Sequence, residues 1–343
     1  YLGTSWLLTP RAKTIETTPF SGRYWHNPYQ NLNLQNVWNA NFHAHSNNWG
    51  MFTNGSNNSP EKLYDAYKRM GFDIAQISDY QNINPFRDTA PDYIPAYEHG
   101  YSFKKTHQLS LGAKCVTGFD VMLPQPTGVK QFFINKLKSR CDVLCLTHPK
   151  AWGGYTDVDL LKLTGYDLFE VLNYDDDLQE PAWDLVLSNG NLVYILASDD
   201  THDILRWIEI GRRFVRVFAD NTNAQNVLTA LKNGHHYGVN MPVLDGETFE
   251  QKAERIKQLP NVTRFEIVDD SLHIAIDEPQ KTVEIIGDYG FNLYRHSGAG
   301  EVVFDLNNLN PFDITYVRVK IFLPNGIVYY FNPITRTATY ERR

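Results

Sequence analysis

The sequence predicts an α/β fold, a barrel of strand–helix units followed by a small antiparallel β-domain. Three observations predict it. Between residues 37 and 245, seven strand-like apolar runs recur and most are followed by a helical pattern. Parallel neighbours cannot be joined by a tight turn, so that alternation calls for helical crossovers. Beyond residue 246 the runs become short, alternate with period two and are separated by turn signals, as antiparallel strands are. Finally, His and Asp residues cluster at the C-terminal ends of the earlier runs, the rim where the loops of a strand–helix barrel converge.

Residues 1–36 are rich in Pro, Asn, Thr and aromatics without a period, and read as an irregular arm. The barrel region, 37–245, has its strand-like runs at 37–45, 73–79, 114–121, 143–149, 168–173, 192–200 and 212–220. The first expected helix, 59–71, has both ends marked: Ser59 as N-cap, Pro60 in the first turn and Gly71 as the stop. Further helices are expected at 97–107, 128–140, 156–163, 181–189 and 223–232, the last two closed by Gly190 and Gly234. The β-domain, 246–343, opens with a helix at 249–259. Its strands are expected at 263–268, 272–276, 282–286, 301–306, 316–322 and 327–331. Asp269-Asp270-Ser271 and Asn325-Gly326 are hairpin signals between them.

Composition narrows the function classes. The 343 residues are 42% hydrophobic and 21% charged, ordinary for a globular chain with a sizeable core and poor for disorder. The net charge is −7 and the Lys and Arg residues are dispersed, so no basic footprint for nucleic acid is visible. No apolar run approaches the ~18 residues of a membrane span. Three cysteines cannot build a disulfide framework, and Cys141 and Cys145, beside an apolar run, read as buried thiols. Tyr1 stands where a Met would begin a chain, leaving any targeting segment out of view. The 13% aromatic content and 29 asparagines lean towards an extracytoplasmic setting.

His43-Ala44-His45 ends the first strand, and alternation along a strand puts the two imidazoles on one face, roughly 7 Å apart along the chain. Such a pair suits one metal ion. By itself it is a weak signal, expected about 0.35 times by chance among 11 histidines in 343 residues. Its weight comes from Asp79, Asp120, His148 and Asp200-Thr201-His202, each closing a later apolar run.

These motifs, Phe42-His43-Ala44-His45-Ser46, Ile77-Ser78-Asp79-Tyr80, Thr117-Gly118-Phe119-Asp120, Thr147-His148-Pro149 and Ser198-Asp199-Asp200-Thr201-His202, occur in the order found in the polymerase and histidinol phosphatase (PHP) family. Over roughly residues 37–240 the chain resembles that family, whose closing helix and strand are similar to the stretch around His235-His236-Tyr237. The resemblance implies a distorted (β/α)7 barrel and hydrolysis of small phosphate esters at one to three divalent ions, commonly Zn, Mn or Fe. It implies that His43, His45, Asp120 and Asp200 hold the first ion, with Asp120 in the place of a bridging Glu. His148 would serve a second ion and His202 a third.

The departures are specific. Tyr80 stands where the family usually has His, and Asn47 and Asn48 where it usually has Asp. No His lies between Asp120 and His148, where a further ligand is usual. The first site is therefore the best preserved. Within this reading Asp79 orients a ligand or water, His202 protonates the leaving oxygen, and Lys150 and Arg206 meet phosphate charge. Tyr80 is a hydroxyl donor, a weak ligand or an aromatic wall. Glu170, between apolar neighbours, faces either the barrel interior or outward, and the run Asp175-Asp176-Asp177 reads as a solvated loop. Two rival classes remain: a catalytically degenerate barrel that binds a ligand in the same mouth, and a carbohydrate-handling protein whose β-domain binds sugar.

Overall fold

Helices begin and end at the residues that cap them. The structure, a computed structural model, describes residues 9–52, 57–173 and 179–339. After β1 (Tyr24–His26) and β2 (Val37–Asn41), helix α1 (Pro60–Met70) starts where the Ser59 side chain accepts from the Lys62 amide. It stops where Gly71 turns left-handed at φ 98°, and it buries Leu63, Tyr67 and Met70. There follow β3 (Ile74–Ala75), β4 (Ala96–His99), β5 (Gln108–Leu111), α2 (Thr127–Lys138), β6 (Val143–Leu146) and α3 (Asp157–Leu160), the last opened by a reciprocal Thr156–Asp159 capping box. Then come β7 (Leu168–Leu172), α4 (Glu180–Ser188), β8 (Tyr194–Ala197), β9 (Arg213–Phe218), α5 (Ala224–Lys232), capped by Asn223, and β10 (His236–Asn240).

The last third carries α6 (Phe249–Lys257), β11 (Val262–Val268), β12 (Ser271–Ile276), β13 (Thr282–Ile286), β14 (Asn292–Ser297), β15 (Val302–Asp305), β16 (Tyr316–Phe322), β17 (Val328–Phe331) and β18 (Ile334–Thr337). Asp269 and Asp270, at φ 47° and 58°, form the two-residue turn joining β11 to β12, the left-handed pair that a primed turn requires. Asn325 and Gly326 sit at positive φ between β16 and β17. Strands β1, β4, β5, β14 and β18 lie where no strand was expected.

The strand directions correct the expectation of a parallel barrel. Parallel pairing is found for β2/β3, β6/β7 and β7/β8, whereas β4/β5, β5/β6, β2/β9 and β9/β10 are antiparallel. For β4, β5 and β6 the cause lies in two misread segments. Residues 97–107, expected as a helix, hold most of β4 and a loop, and a connection of eight residues from β4 to β5 is too short for a helical crossover. Residues 114–121, expected as a strand, form none. Their amides at Thr117 and Asp120 bond instead to the Tyr97 and Tyr101 hydroxyls.

The ladders make three sheets. Five strands run β4-β5-β6-β7-β8, three run β11-β12-β15, and ten form a sheet along β1-β18-β16-β17-β10-β9-β2-β3 with β13 and β14 attached beside β16. The large sheet takes strands from both sides of residue 246: β17 pairs with β10, and β1 of the N-terminal arm with β18. One apolar core joins the five-stranded sheet to Ala40, Ile74 and Val215 of the ten-stranded sheet. Another joins Tyr67, Phe214 and Tyr237 to Phe265, Tyr329 and Phe331 of the C-terminal third. Gly238 of β10 lets β8 approach, since a Cβ there would lie 2.7 Å from Ile195 Cδ1. Two single-residue bridges, Ala44 with Thr201 and Tyr80 with Glu98, connect the five- and ten-stranded sheets just beyond β2 and β3.

A buried ionic network ties α4 to β16. The Arg318 guanidinium meets both oxygens of Asp184 at 2.7 Å and Glu180 Oε1 at 2.7 Å, while Lys320 Nζ reaches Glu180 Oε2 at 3.0 Å. Burial alone would raise the Glu180 carboxyl, but Arg318 and Lys320 outweigh it and hold it below the usual range. A carboxyl depressed on folding stabilises the fold above its unfolded value and loses that contribution as pH falls through the folded one. Denaturant titrations of the chain and of Glu180→Gln should therefore differ most at neutral pH and converge as the pH drops below ~4.

Candidate metal centre

The centre forms where the ends of β2, β3, β4, β6 and β8 meet. Asn41 Oδ1 accepts from the His43 amide at 3.0 Å, turning the chain out of β2. The His45 amide donates to Thr201 O and the Asp200 amide to His43 O, so the two motifs lie side by side in fixed register. Tyr80 pairs with Glu98, which brings β4 to the same rim. Asp200 and His148 hold left-handed backbones, at φ 49° and 31°, a strained conformation for non-glycine residues that concentrates at functional sites.

Four buried side chains converge first. His43 Nε2 and His45 Nε2 are 3.3 Å apart, and each lies 3.3 Å from Glu98 Oε2 and 3.1–3.2 Å from Asp200 Oδ1. The other Glu98 oxygen, Oε1, faces His107 Nδ1 at 2.9 Å and His148 Nε2 at 3.1 Å, and accepts from the Thr147 hydroxyl. Two candidate ligand groups result, His43/His45/Glu98/Asp200 and Glu98/His107/His148, with Glu98 common to both.

The electrostatics suit a cation. Burial would lower the His43 and His45 imidazoles, but Asp200 and Glu98, joined at His43 by Glu170, raise both above the ordinary value. Burial would likewise raise Glu98 and Asp200, yet the surrounding imidazoles hold both well below the carboxylate range. His107 is lowered by burial and His148 raised, chiefly through Glu98 acting against burial. Glu98 Oε2, deeply buried, accepts no hydrogen bond although two imidazole nitrogens face it. Nitrogen and oxygen lone pairs aimed at one point are what a divalent ion satisfies, and the mixed N/O set suits borderline first-row metals. The cluster fits a metal site.

Of the residues singled out from sequence, His43, His45 and Asp200 come together in the first group, and His148 lies in the second. His202 sits 3.3 Å from Asp200 Oδ1, stacks on His45 at 4.4 Å and keeps 23% of its side chain exposed. The Tyr80 ring lies on His45 at 4.3 Å and edge-on to His107 at 5.5 Å, inside the mouth. Asp120 is the correction: its carboxylate accepts from the Tyr101 amide and Gln125 Nε2, outside both groups, because the segment before it is not a strand aimed at the rim. Asp79 accepts from the Ser46 amide and hydroxyl and from Asn84, bracing the His43–Ser46 segment from behind. Lys150 Nζ pairs with Asp157 at 2.6 Å and Arg206 with Glu209 at 2.9 Å. Cys141 and Cys145 are buried and Cys115 is exposed. Asp175, Asp176 and Asp177 lie outside the described residues.

Sequence reasoning missed Glu98 and His107. Both fall in the stretch taken for a helix. The stretch itself gave little signal: Ala96-Tyr97-Glu98-His99 sets two apolar residues before two polar ones and buries all four, so no alternation marks it as a strand. Glu170, left open from sequence, points inward and contacts His43 Nδ1 at 2.9 Å.

No protein-family model matches the chain, and no curated protein matches it. Among solved structures it is similar to a two-domain protein from Bacteroides vulgatus described as containing a predicted PHP-like metal-dependent phosphoesterase. The identity is 12% and the TM-score 0.41, over 94% of this chain and 99% of that one.

Proposed function

We propose that this chain is a metal-dependent hydrolase of phosphate esters. The observation that carries the reading is Glu98, a buried carboxylate whose two oxygens serve two adjacent sets of imidazoles. In this reading His43, His45, Asp200 and Glu98 Oε2 hold one ion of the Zn, Mn or Fe class, and Glu98 Oε1, His107 and His148 a second. Such ions supply Lewis acidity towards a phosphoryl oxygen and a water acidic enough to attack at neutral pH.

The side chains around them bind and orient. Asp79 holds the His43–Ser46 segment in place through Ser46. Tyr80 forms a flat wall over His45, and His202, the partly exposed member of the group, meets the ester as it enters. The same reading treats β2 to β8 as a distorted barrel, closed by the Ala44–Thr201 and Tyr80–Glu98 bridges, with the centre on its rim.

The test is removal and return of metal. The chelated chain should lose hydrolysis of a panel of phosphomonoesters and diesters and regain it with Mn, Zn or Fe. Elemental analysis should find two ions per chain. Metal at ~1,000 times its Kd should also add about 4 kcal/mol to unfolding, read as a rise in Tm. A panel in which no ester is hydrolysed after metal return rules the reading out and favours a ligand-binding barrel.

A further inference from the structure

We infer that Glu170 sets the tautomer of His43 and thereby makes its Nε2 a ligand atom; the inference rests on the metal reading above. Strand β7 carries Glu170 into the cluster, fully buried. Its Oε1 faces His43 Nδ1 at 2.9 Å and accepts from the Ser198 hydroxyl. Its Oε2 accepts from the His148 amide at 2.6 Å and from Asn173 Nδ2 at 2.9 Å. A carboxylate only accepts, at about four lone-pair positions, and four donors occupy them here. In the neutral ring, the form that can ligate, His43 Nδ1 therefore carries the proton. The lone pair is left on Nε2, the atom that faces Glu98, Asp200 and His45.

The geometry makes the role of charge separable from the role of shape. The His148 backbone N–H can only donate, so a glutamine at 170 must keep its oxygen on that side. Its NH2 then faces Ser198 and His43. Ser198 can rotate its hydroxyl and accept. The His43 ring has one response, which is to accept at Nδ1 and move its proton to Nε2, where it blocks the ligand position. Glu170→Gln is almost isosteric, so it reverses one imidazole without opening a cavity. Because the same carboxylate holds the amide of His148 at its left-handed turn, Glu170 positions ligands of both groups.

The experiment uses the full chain, metal-free, with its histidines 15N-labelled and at an alkaline pH where the His43 ring is neutral, since against burial the neighbouring carboxylates raise its titration, with the His43 signal assigned by its loss in His43→Gln. NMR should show the Nδ1–H tautomer at His43 in the wild type and the Nε2–H tautomer in Glu170→Gln. Calorimetric titration with Zn2+ should show one class of sites weakened about 10–100-fold in Glu170→Gln. A purely structural role would lower the Tm and leave tautomer and affinity alone, which would overturn the inference. An Nε2–H tautomer at His43 in the wild type would overturn it whether or not Glu170→Gln folds. A wild-type chain that binds no Zn2+ would sink the metal reading instead, and the tautomer would still decide the role of Glu170.

Discussion

Replacing Glu98 with glutamine is expected to disable both halves of the centre at once. The carboxylate is buried, its Oε2 lies between His43 and His45 and its Oε1 between His107 and His148, so no other side chain stands in the same relation to both groups among the described residues. Glutamine offers one oxygen where two are needed, and its NH2 points a donor at imidazoles that must present lone pairs. Metal content should fall from two ions per chain towards none. Hydrolysis should fall about a thousandfold, since the several kcal/mol supplied by metal charge correspond to tenfold per 1.36 kcal/mol. The matched control is Asp120→Asn. Asp120 bonds to the Tyr101 amide and Gln125 rather than to the cluster, so its ion content should match the wild type while stability falls by about 1 kcal/mol. Elemental analysis of the two variants side by side reads the outcome. Two ions in Glu98→Gln, or none in Asp120→Asn, would refute the shared-carboxylate arrangement.

The largest loss of stability should follow Arg318→Ala, at about 3–5 kcal/mol in urea unfolding. Arg318 is 1% exposed and forms a two-pronged contact with Asp184, a further bond to Glu180 and a cation–π contact with Trp183 at 5.3 Å. Removing the guanidinium strands two carboxylates in a poorly solvated place, and that uncompensated charge accounts for most of the cost. Arg318→Lys should recover part of it, because an ammonium keeps the charge but cannot match both Asp184 oxygens. Helix α4 follows and packs on β7, which carries Glu170, so the ion content of Arg318→Lys is an informative companion measurement. Wild-type stability in Arg318→Ala would mean that the network contributes no net stabilisation.

Much of the local structure was legible because its causes are local. Ser59 and Gly71 bound α1 through hydrogen bonds within one turn, Pro60 presets the φ of its first residue, and Asp269-Asp270 needs nothing beyond its own two left-handed residues to reverse the chain. His43, His45, His148, Asp200 and His202 could be singled out because each follows an apolar run that remains a strand in the folded chain. Asp120 was misplaced for the converse reason. The run before it looks like a strand, but its amides find tyrosine hydroxyls rather than a neighbouring ladder. Glu98 was overlooked because Ala96-Tyr97-Glu98-His99 is ambiguous until β5 pairs with it.

The sequence by itself determined the ends of capped helices such as α1, the Asp269-Asp270 turn, and the placing of His43, His45, His148, Asp200 and His202 just after strands. Only the tertiary structure decided strand direction and which acid stands between the two sets of histidines. Caps and turns are settled by atoms within a few residues of one another. The partner of a strand, and so the neighbour of Glu98, depends on free energies summed over segments far apart in the chain, which no local pattern contains.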